Sequence, residues 1–259
     1  MFRINTMPST ILALAVLLAA RAAGAGEPSP PAAETPSHHV ARAPAPPPLE
    51  GPWDGPAWRD VPALGVELFS AKSTDHRPRT EAKLQYDDAG IYVLFRVEDR
   101  YVRAVAGDPG NQVCKDSCVE FFVQPVAGRG YYNFEFSCGG WMLARYNEAP
   151  AFIRGGGADG GGDLAPEVRG AIRIHHSLPE RIDPEIAAPT TWTLGAFIPW
   201  TVFEAALGDV RPRPGVSWRA NFFKCGSHTS HPHWAAWSPK AGKVGFHAPE
   251  LFGELVFDR

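Results

Sequence analysis

From Cys118 to Gln124 the apolar Val119, Phe121 and Val123 alternate with Cys118, Glu120, Phe122 and Gln124, the period-two pattern of a half-buried strand. After a turn at Pro125–Gly130, the run Tyr131–Ser137 alternates again, with Tyr132, Phe134 and Phe136 on one side and Asn133 and Glu135 on the other. The two runs predict a hairpin. The simplest register that merges their apolar faces sets Phe121 against Phe134 and therefore Glu120 opposite Glu135. Like charges opposite one another on a sheet repel, so this pair makes sense where a cation, a basic side chain or ligand hydroxyls sit between the carboxylates. The alternative is a slipped register in which both glutamates face water.

The same reading predicts strands over Lys83–Tyr86 and Ile91–Glu98, reversed at the turn Asp87-Asp88-Ala89-Gly90. It predicts another over Trp192–Pro199, a short helix over Trp200–Leu207, and a strand over Ser217–Phe223 in which Trp218, Ala220 and Phe222 share a face. Trp53 and Trp58 bracket turn residues and clamp the N-terminal edge, whereas Gly155–Gly162 is too glycine-rich for regular structure and reads as a surface loop. Many short strands with little helix predict an all-β fold, an antiparallel β-sandwich with short helical connections, occupying residues 49–259 as one domain.

Arg3, the apolar run Ile11–Ala20 and the small residues Ala23-Gly24-Ala25 predict a signal peptide over residues 1–25 and a secreted or periplasmic protein. The apolar run is short for a membrane span, and no cysteine follows closely to accept a lipid, so no transmembrane segment is expected after cleavage. Residues 26–48, rich in Pro and Ala, read as a stiff extended linker. A 44% hydrophobic fraction over 259 residues suffices for a packed core, and a net charge of -3 gives no reason to expect nucleic acid.

Four separated segments, Tyr86–Val93, Lys115–Phe122, Asn221–Gly226 and Phe246–Leu255, together resemble the family 9 carbohydrate-binding modules, in particular their stand-alone relatives. The resemblance runs from Leu49 to Phe257 and implies a β-sandwich that binds sugars without cutting them, in support of carbohydrate catabolism, with a glycoside hydrolase as a candidate partner. It assigns a stacking role to Phe246 and a hydroxyl-accepting role to Glu120. The family's second stacking position falls near Val113-Cys114, where there is no aromatic, and Trp141 is the candidate replacement. Glu135 stands where sugar-binding relatives can carry a basic residue, so the polar lining differs as well. Asn133, Trp237 and His247 complete the candidate ligand-binding set.

Export makes disulfides available to the four cysteines, Cys114, Cys118, Cys138 and Cys225. Cys118 and Cys225 lie in the family-like segments, which suggests pairing them with each other and Cys114 with Cys138. The hairpin register sets Cys138 opposite Ser117, near Cys114 and Cys118 alike, and does not choose between them. A zinc reading is weaker, because Cys114-x-x-x-Cys118 has no equally close second pair.

No cofactor is called for. Calcium is admitted at Asp87 and Asp88, although turn chemistry accounts for both. The three histidines and two tryptophans of His228–Trp237 read as a loop with tryptophans packed down and histidines in solvent. Two further functions stand behind sugar binding. One is glycoside hydrolysis by Glu120 and Glu135, without a sign of the buried acid it requires. The other is haem held between Met142 and His247, without an attachment motif.

Overall fold

The alternating segments all fold as strands. In this computed structural model, which describes residues 35–107, 112–148, 161–239 and 245–259 together with Met1, the strands are β1 (Ser37–Arg42), β2 (Ala63–Gly65), β3 (Leu68–Phe69), β4 (Arg79–Tyr86), β5 (Gly90–Asp99), β6 (Val102–Ala104), β7 (Cys118–Gln124), β8 (Tyr131–Ser137), β9 (Met142–Asn147), β10 (Gly161–Asp163), β11 (Arg173–His176), β12 (Ile182–Ile186), β13 (Thr190–Pro199), β14 (Ser217–Cys225), β15 (Trp234–Ala236) and β16 (Gly253–Phe257). Helix among them is confined to α1 (Pro166–Arg169), α2 (Trp200–Leu207) and single 3-10 turns at Val113–Lys115 and Pro249–Leu251. The expected signal peptide lies outside the described residues, apart from Met1. No helix among the described residues is long and apolar enough to cross a membrane.

One sheet runs β10-β9-β8-β7-β14-β16, with β15 added beside β14 and β3 beside β15. The other runs β4-β5-β13-β11, with β2 on β4. Their inner faces share one core, in which Leu84, Val93 and Phe95 of the second sheet meet Phe121, Phe134 and Phe222 of the first. The rings of Phe95 and Phe222 are 6.2 Å apart, and those of Phe121 and Phe222 are stacked at 5.0 Å. The hairpin has the expected register, Phe121 against Phe134 and Glu120 against Glu135. The helix Trp200–Leu207 closes one end of the core, where the Tyr132 hydroxyl donates to the Phe203 carbonyl at 2.8 Å.

Three expectations change. The segment read as linker becomes β1 from Ser37 onward, and Ala33–Arg259 form one compact unit. β1 pairs in parallel with β16 through Ser37–Val40 and with β4 through Ala41–Arg42, so it joins the two sheets and departs from a purely antiparallel sandwich. Its buried His38 and Val40 alternate with exposed neighbours, a short pattern diluted by the surrounding prolines. Within the glycine-rich run, Gly161 and Gly162 belong to β10, which pairs with β9, because an edge strand needs only backbone hydrogen bonds; residues 155–160 lie outside the described residues. His233 is buried and the ring of His231 stacks on Tyr101 at 3.6 Å, so these histidines pack inward instead of facing solvent. The tryptophan clamp forms as expected: Trp58 is fully buried with Tyr92, Leu94 and Phe197, and Lys83 Nζ donates to the carbonyls of Trp53 and Trp58.

One polar contact crosses the apolar interior. Lys224 points inward from β14, and its Nζ lies 3.3 Å from the Asp99 carboxylate at the end of β5, both side chains being wholly buried. The same Nζ donates to the Cys225 carbonyl and to His233 Nε2, at 3.0 and 2.7 Å. Burial alone would raise the Asp99 carboxyl, but Lys224 and the hydrogen bond from His76 hold it well below the usual carboxylate range. Burial and Lys224 push His233 down to about 3, so its imidazole is neutral and Nε2 accepts.

Removing Lys224 leaves a buried carboxylate without its cation, a loss of about 3–5 kcal/mol in comparable cases. Lys224→Met is therefore expected to unfold at much lower urea than wild type at neutral pH. Adding Asp99→Asn should recover part of the loss, because the second change removes the stranded charge. A Lys224→Met protein as stable as wild type would show that the pair does not hold the sheets together.

Candidate functional site

Strand parity gives the first sheet an outer face that is not wholly solvent-exposed. Cys118, Glu120 and Phe122 of β7, Tyr131, Asn133 and Glu135 of β8, Leu143 and Arg145 of β9, and Phe223 and Cys225 of β14 point away from the core. Two small clusters cover this surface. In one, Phe122, Tyr131, Phe223, Ala236 and Phe252 pack together with Phe246; in the other, Val113, Cys118 and Cys225 pack with Ala106, Cys114, Leu143, Trp234 and Phe246. The 3-10 turn Val113–Lys115 and the segment Phe246–Phe252 thus lie over the sheet, with Phe246 common to both clusters.

Beneath them, Glu120 and Glu135 are register partners, only 2% and 8% exposed. Asn147 Nδ2 donates to Asn133 Oδ1 at 2.9 Å, and Asn133 Nδ2 donates to Glu135 Oε1 at 3.0 Å, which makes a polar row across β9 and β8. On the other side, the Cys225 thiol donates to Glu120 Oε1 at 3.1 Å. Burial pushes the Glu135 carboxyl up to about 7, against the downward pull of the Asn133 hydrogen bond and Arg145. Arg145 is shared, since its guanidinium also lies 2.8 Å from Asp163.

Phe246, distant in sequence, arrives on this face half-buried, its ring stacked on Phe223 with centroids 4.0 Å apart and planes at 15°. One ring face is therefore taken by Phe223. His247 follows, with Nδ1 2.7 Å from the Tyr131 hydroxyl. Cys114, at the position expected for a second stacking aromatic, stands on the lip of the same cluster. Trp141, 43% exposed, shares the parity of Leu143 and Arg145. The structure thus brings Glu120, Glu135, Asn133, Phe246 and His247 to one face.

Trp237 is not among them. It packs on the interior, its ring 5.8 Å from Phe222. Parity explains the miss: Trp234 and Ala236 of β15 face outward, Ala235 faces the core, and Trp237 follows on the core side. The tryptophan at this face is Trp234, and the alternation that would have found it was present in the sequence. Met142 also packs toward the core, opposite His247, so the two cannot share a haem. Asp87 Oδ1 accepts from the backbone N–H groups of Ala89 and Gly90, Oδ2 accepts from Tyr92, and Asp88 pairs with Arg42, so the turn uses its own carboxylates.

Neither expected disulfide is formed; all four cysteines are free thiols. Cys138 belongs to the interior, its sulfur 3.5 Å from the Arg103 carbonyl, while Cys114 lies on the outer face, so the sheet separates them. Cys118 and Cys225 are register partners whose thiols also hydrogen-bond to each other, with the Cys225 thiol donating to Glu120 and that of Cys118 lying 3.6 Å from the Val119 carbonyl, and no S–S bond joins them.

Residues 60–257 match the model described as carbohydrate-binding family 9. A solved structure from Bacteroides uniformis ATCC 8492, whose assignment as carbohydrate-binding is itself provisional, aligns with a TM-score of 0.73 and 27% identity over 87% of this chain and 100% of that one. A family 9 carbohydrate-binding module from Caldicellulosiruptor kristjanssonii in complex with glucose aligns with a TM-score of 0.58 and 15% identity, covering 86% of this chain and 97% of that one. Its complex with cellotriose aligns with the same score and identity over 86% and 94%. At that identity the likeness is one of fold. No curated protein matches at a significant level.

The raised Glu135 carboxyl has a signed consequence. The unfolded chain ionises this group near pH 4.3, whereas the folded one holds its proton to about 7. Its contribution to stability is full below the unfolded value and declines as pH rises toward 7. Urea unfolding of wild type and Glu135→Gln across this range should show the variant gaining on wild type as pH rises. A constant difference would contradict the assignment.

Proposed function

This chain belongs to carbohydrate-binding family 9, and we propose that it is an exported, non-catalytic binder of a sugar or glycan, with its site on the outer face of the first sheet. One observation carries the reading. Phe246 and Glu120, which the family resemblance assigns to stacking and hydroxyl recognition, come from distant segments and meet around Cys225, which packs against the Phe246 cluster and donates its thiol to Glu120.

Sugar recognition pairs an apolar ring face with an aromatic ring while polar groups take the hydroxyls. Phe246 supplies the aromatic ring, stacked on Phe223. His247 lies beside it, Glu120, Glu135 and Asn133 supply acceptors and donors beneath the covering turn, and Trp234 and Trp141 extend the aromatic surface along the same face. With Cys114 in place of a second aromatic across from Phe246, stacking is one-sided, which favours contacts spread along a glycan over a closed clamp on a single ring. The glucose and cellotriose complexes of the Caldicellulosiruptor module support hydroxyl-rich ligands as the class to test. Export follows from the basic, apolar and small residues before Gly26, and such a binder would serve carbohydrate catabolism by holding glycan for a separate glycoside hydrolase.

A second reading rests on the carboxyl of Glu135. A group raised to about 7 by burial and facing a second carboxylate is what an acid catalyst of glycoside hydrolysis requires. Sugar release from aryl glycosides and polysaccharides, abolished in Glu135→Gln, would establish it in place of simple binding.

For the binding reading, a glycan array identifies the best ligand and calorimetry measures the variants. Phe246→Ala should lower affinity by roughly 2–10-fold, the worth of one aromatic contact. Glu120→Gln should lower it by about tenfold or more, through loss of a charge-assisted bond. Thermal melts near wild type are expected for both; unchanged affinity in both would move the site elsewhere. Mass spectrometry of exported protein should find a chain beginning near Gly26, and a Met1-containing form outside the cytoplasm would refute cleavage.

A further inference from the structure

Among the described residues, two groups hold three side chains of metal-ligating type within reach of one another. The first, His76, Asp99 and His233, already contains a cation, because Lys224 Nζ lies 3.3 Å from Asp99 and 2.7 Å from His233. The second is Cys118, Glu120 and Cys225, whose donor atoms all lie within 4.8 Å of one another. These residues are 0%, 2% and 1% exposed.

We infer that Cys118, Cys225 and Glu120 form a binding site for a thiophilic divalent metal ion of the zinc class. Two sulfurs and one carboxylate oxygen are a donor set that zinc takes in tetrahedral sites, at about 2.3 Å to sulfur and 2.0–2.2 Å to oxygen. Those bond lengths place ligand atoms roughly 3.5–3.8 Å apart. The Cys225 sulfur and Glu120 oxygen are 3.1 Å apart, close to that spacing, so assembly calls for side-chain rotation and no strand movement. Cys118 and Cys225 face one another across β7 and β14, and Glu120 lies two residues along β7 on the same face. The backbone thus presents all three to one point. A further donor close by is Cys114, whose carbonyl oxygen is 3.5 Å from the Cys225 sulfur and whose half-buried side chain joins the same cluster.

Binding forms two metal–sulfur bonds and one metal–oxygen bond. It breaks two S–H bonds, whose protons pass to solvent, and the ion's two positive charges offset the thiolates. Thiolate ligands select zinc, or cobalt as its spectroscopic substitute, over calcium and magnesium. A cation bound to Glu120 from the β14 side would also offset the repulsion between Glu120 and Glu135, directly opposite on neighbouring strands.

The test is made without any sugar, so its outcome is independent of the binding reading that also uses Glu120. Full-length protein, reduced with a phosphine, is titrated with cobalt(II). A thiolate-to-cobalt charge-transfer absorption saturating at one equivalent and displaced by zinc is expected, lost in Cys118→Ser and Cys225→Ser and retained in Cys138→Ser, whose thiol is on the other side of the sheet. Because a buried serine can disturb folding, the near-isosteric Glu120→Gln supplies a second arm: it should fold, keep the absorption and bind the ion at least tenfold more weakly. Zinc should likewise raise the melting temperature of wild type more than that of Glu120→Gln. Absence of the absorption in folded wild type, its persistence in folded Cys118→Ser or Cys225→Ser, its loss in Cys138→Ser, or unchanged affinity in Glu120→Gln would each overturn the inference.

Discussion

The buried ion pair between Lys224 and Asp99 is the constraint on which the rest of the architecture depends. Most of the interior is held by non-directional packing of aromatic and branched side chains, and such packing tolerates some sliding of one sheet over the other. A charge does not. Lys224 reaches the Asp99 carboxylate, the His233 ring and the Cys225 carbonyl together. A one-residue slip of β14 would turn the ammonium outward and strand the carboxylate in an apolar medium. Trp192 reinforces the point by directing its indole N–H at the same carboxylate, at 3.4 Å.

Pinning β14 has a consequence on the other side of the sheet. Because side chains alternate, the register that buries Phe222 and Lys224 also turns Phe223 and Cys225 outward, opposite Glu120 and Cys118 respectively. Phe223 then supports Phe246, and Cys225 reaches Glu120. The proposed binding face is therefore the reverse side of the strand that carries the interior ion pair. It is also an unusual outer face, polar along the Asn147–Asn133–Glu135 row and apolar where Phe246 and the thiols lie. That combination suits a ligand with both a hydrophobic face and hydroxyls.

The fold was legible wherever one side of a strand had to be apolar. The β7–β8 hairpin reads correctly from seven-residue alternations on each arm, because any other register would expose Phe121, Phe134 or Phe136. The helix Trp200–Leu207 reads equally well from the proline before it. β1 was hidden, since only His38 and Val40 mark it among prolines and alanines and its partners are the far end of the chain and β4. At the site, Glu120, Glu135 and Asn133 followed from the hairpin, and Phe246 and His247 from the family resemblance. Trp237 turns to the interior and Trp234 to the outer face, an assignment set by the parity of the short strand β15.

By itself, the sequence determined which side of each long strand is core, and so which carboxylates share a face, because the cost of exposing large apolar side chains is paid locally and repeats every second residue. Tertiary structure alone decided what stands next to those carboxylates. That Cys225 faces Cys118 with its thiol on Glu120, that Cys138 lies beyond reach on the other side of the sheet, and that Lys224 finds Asp99 all depend on which distant strands become neighbours. Strand order is set by the summed packing of two sheets and by the satisfaction of a few buried charges, quantities that no local pattern of residues contains.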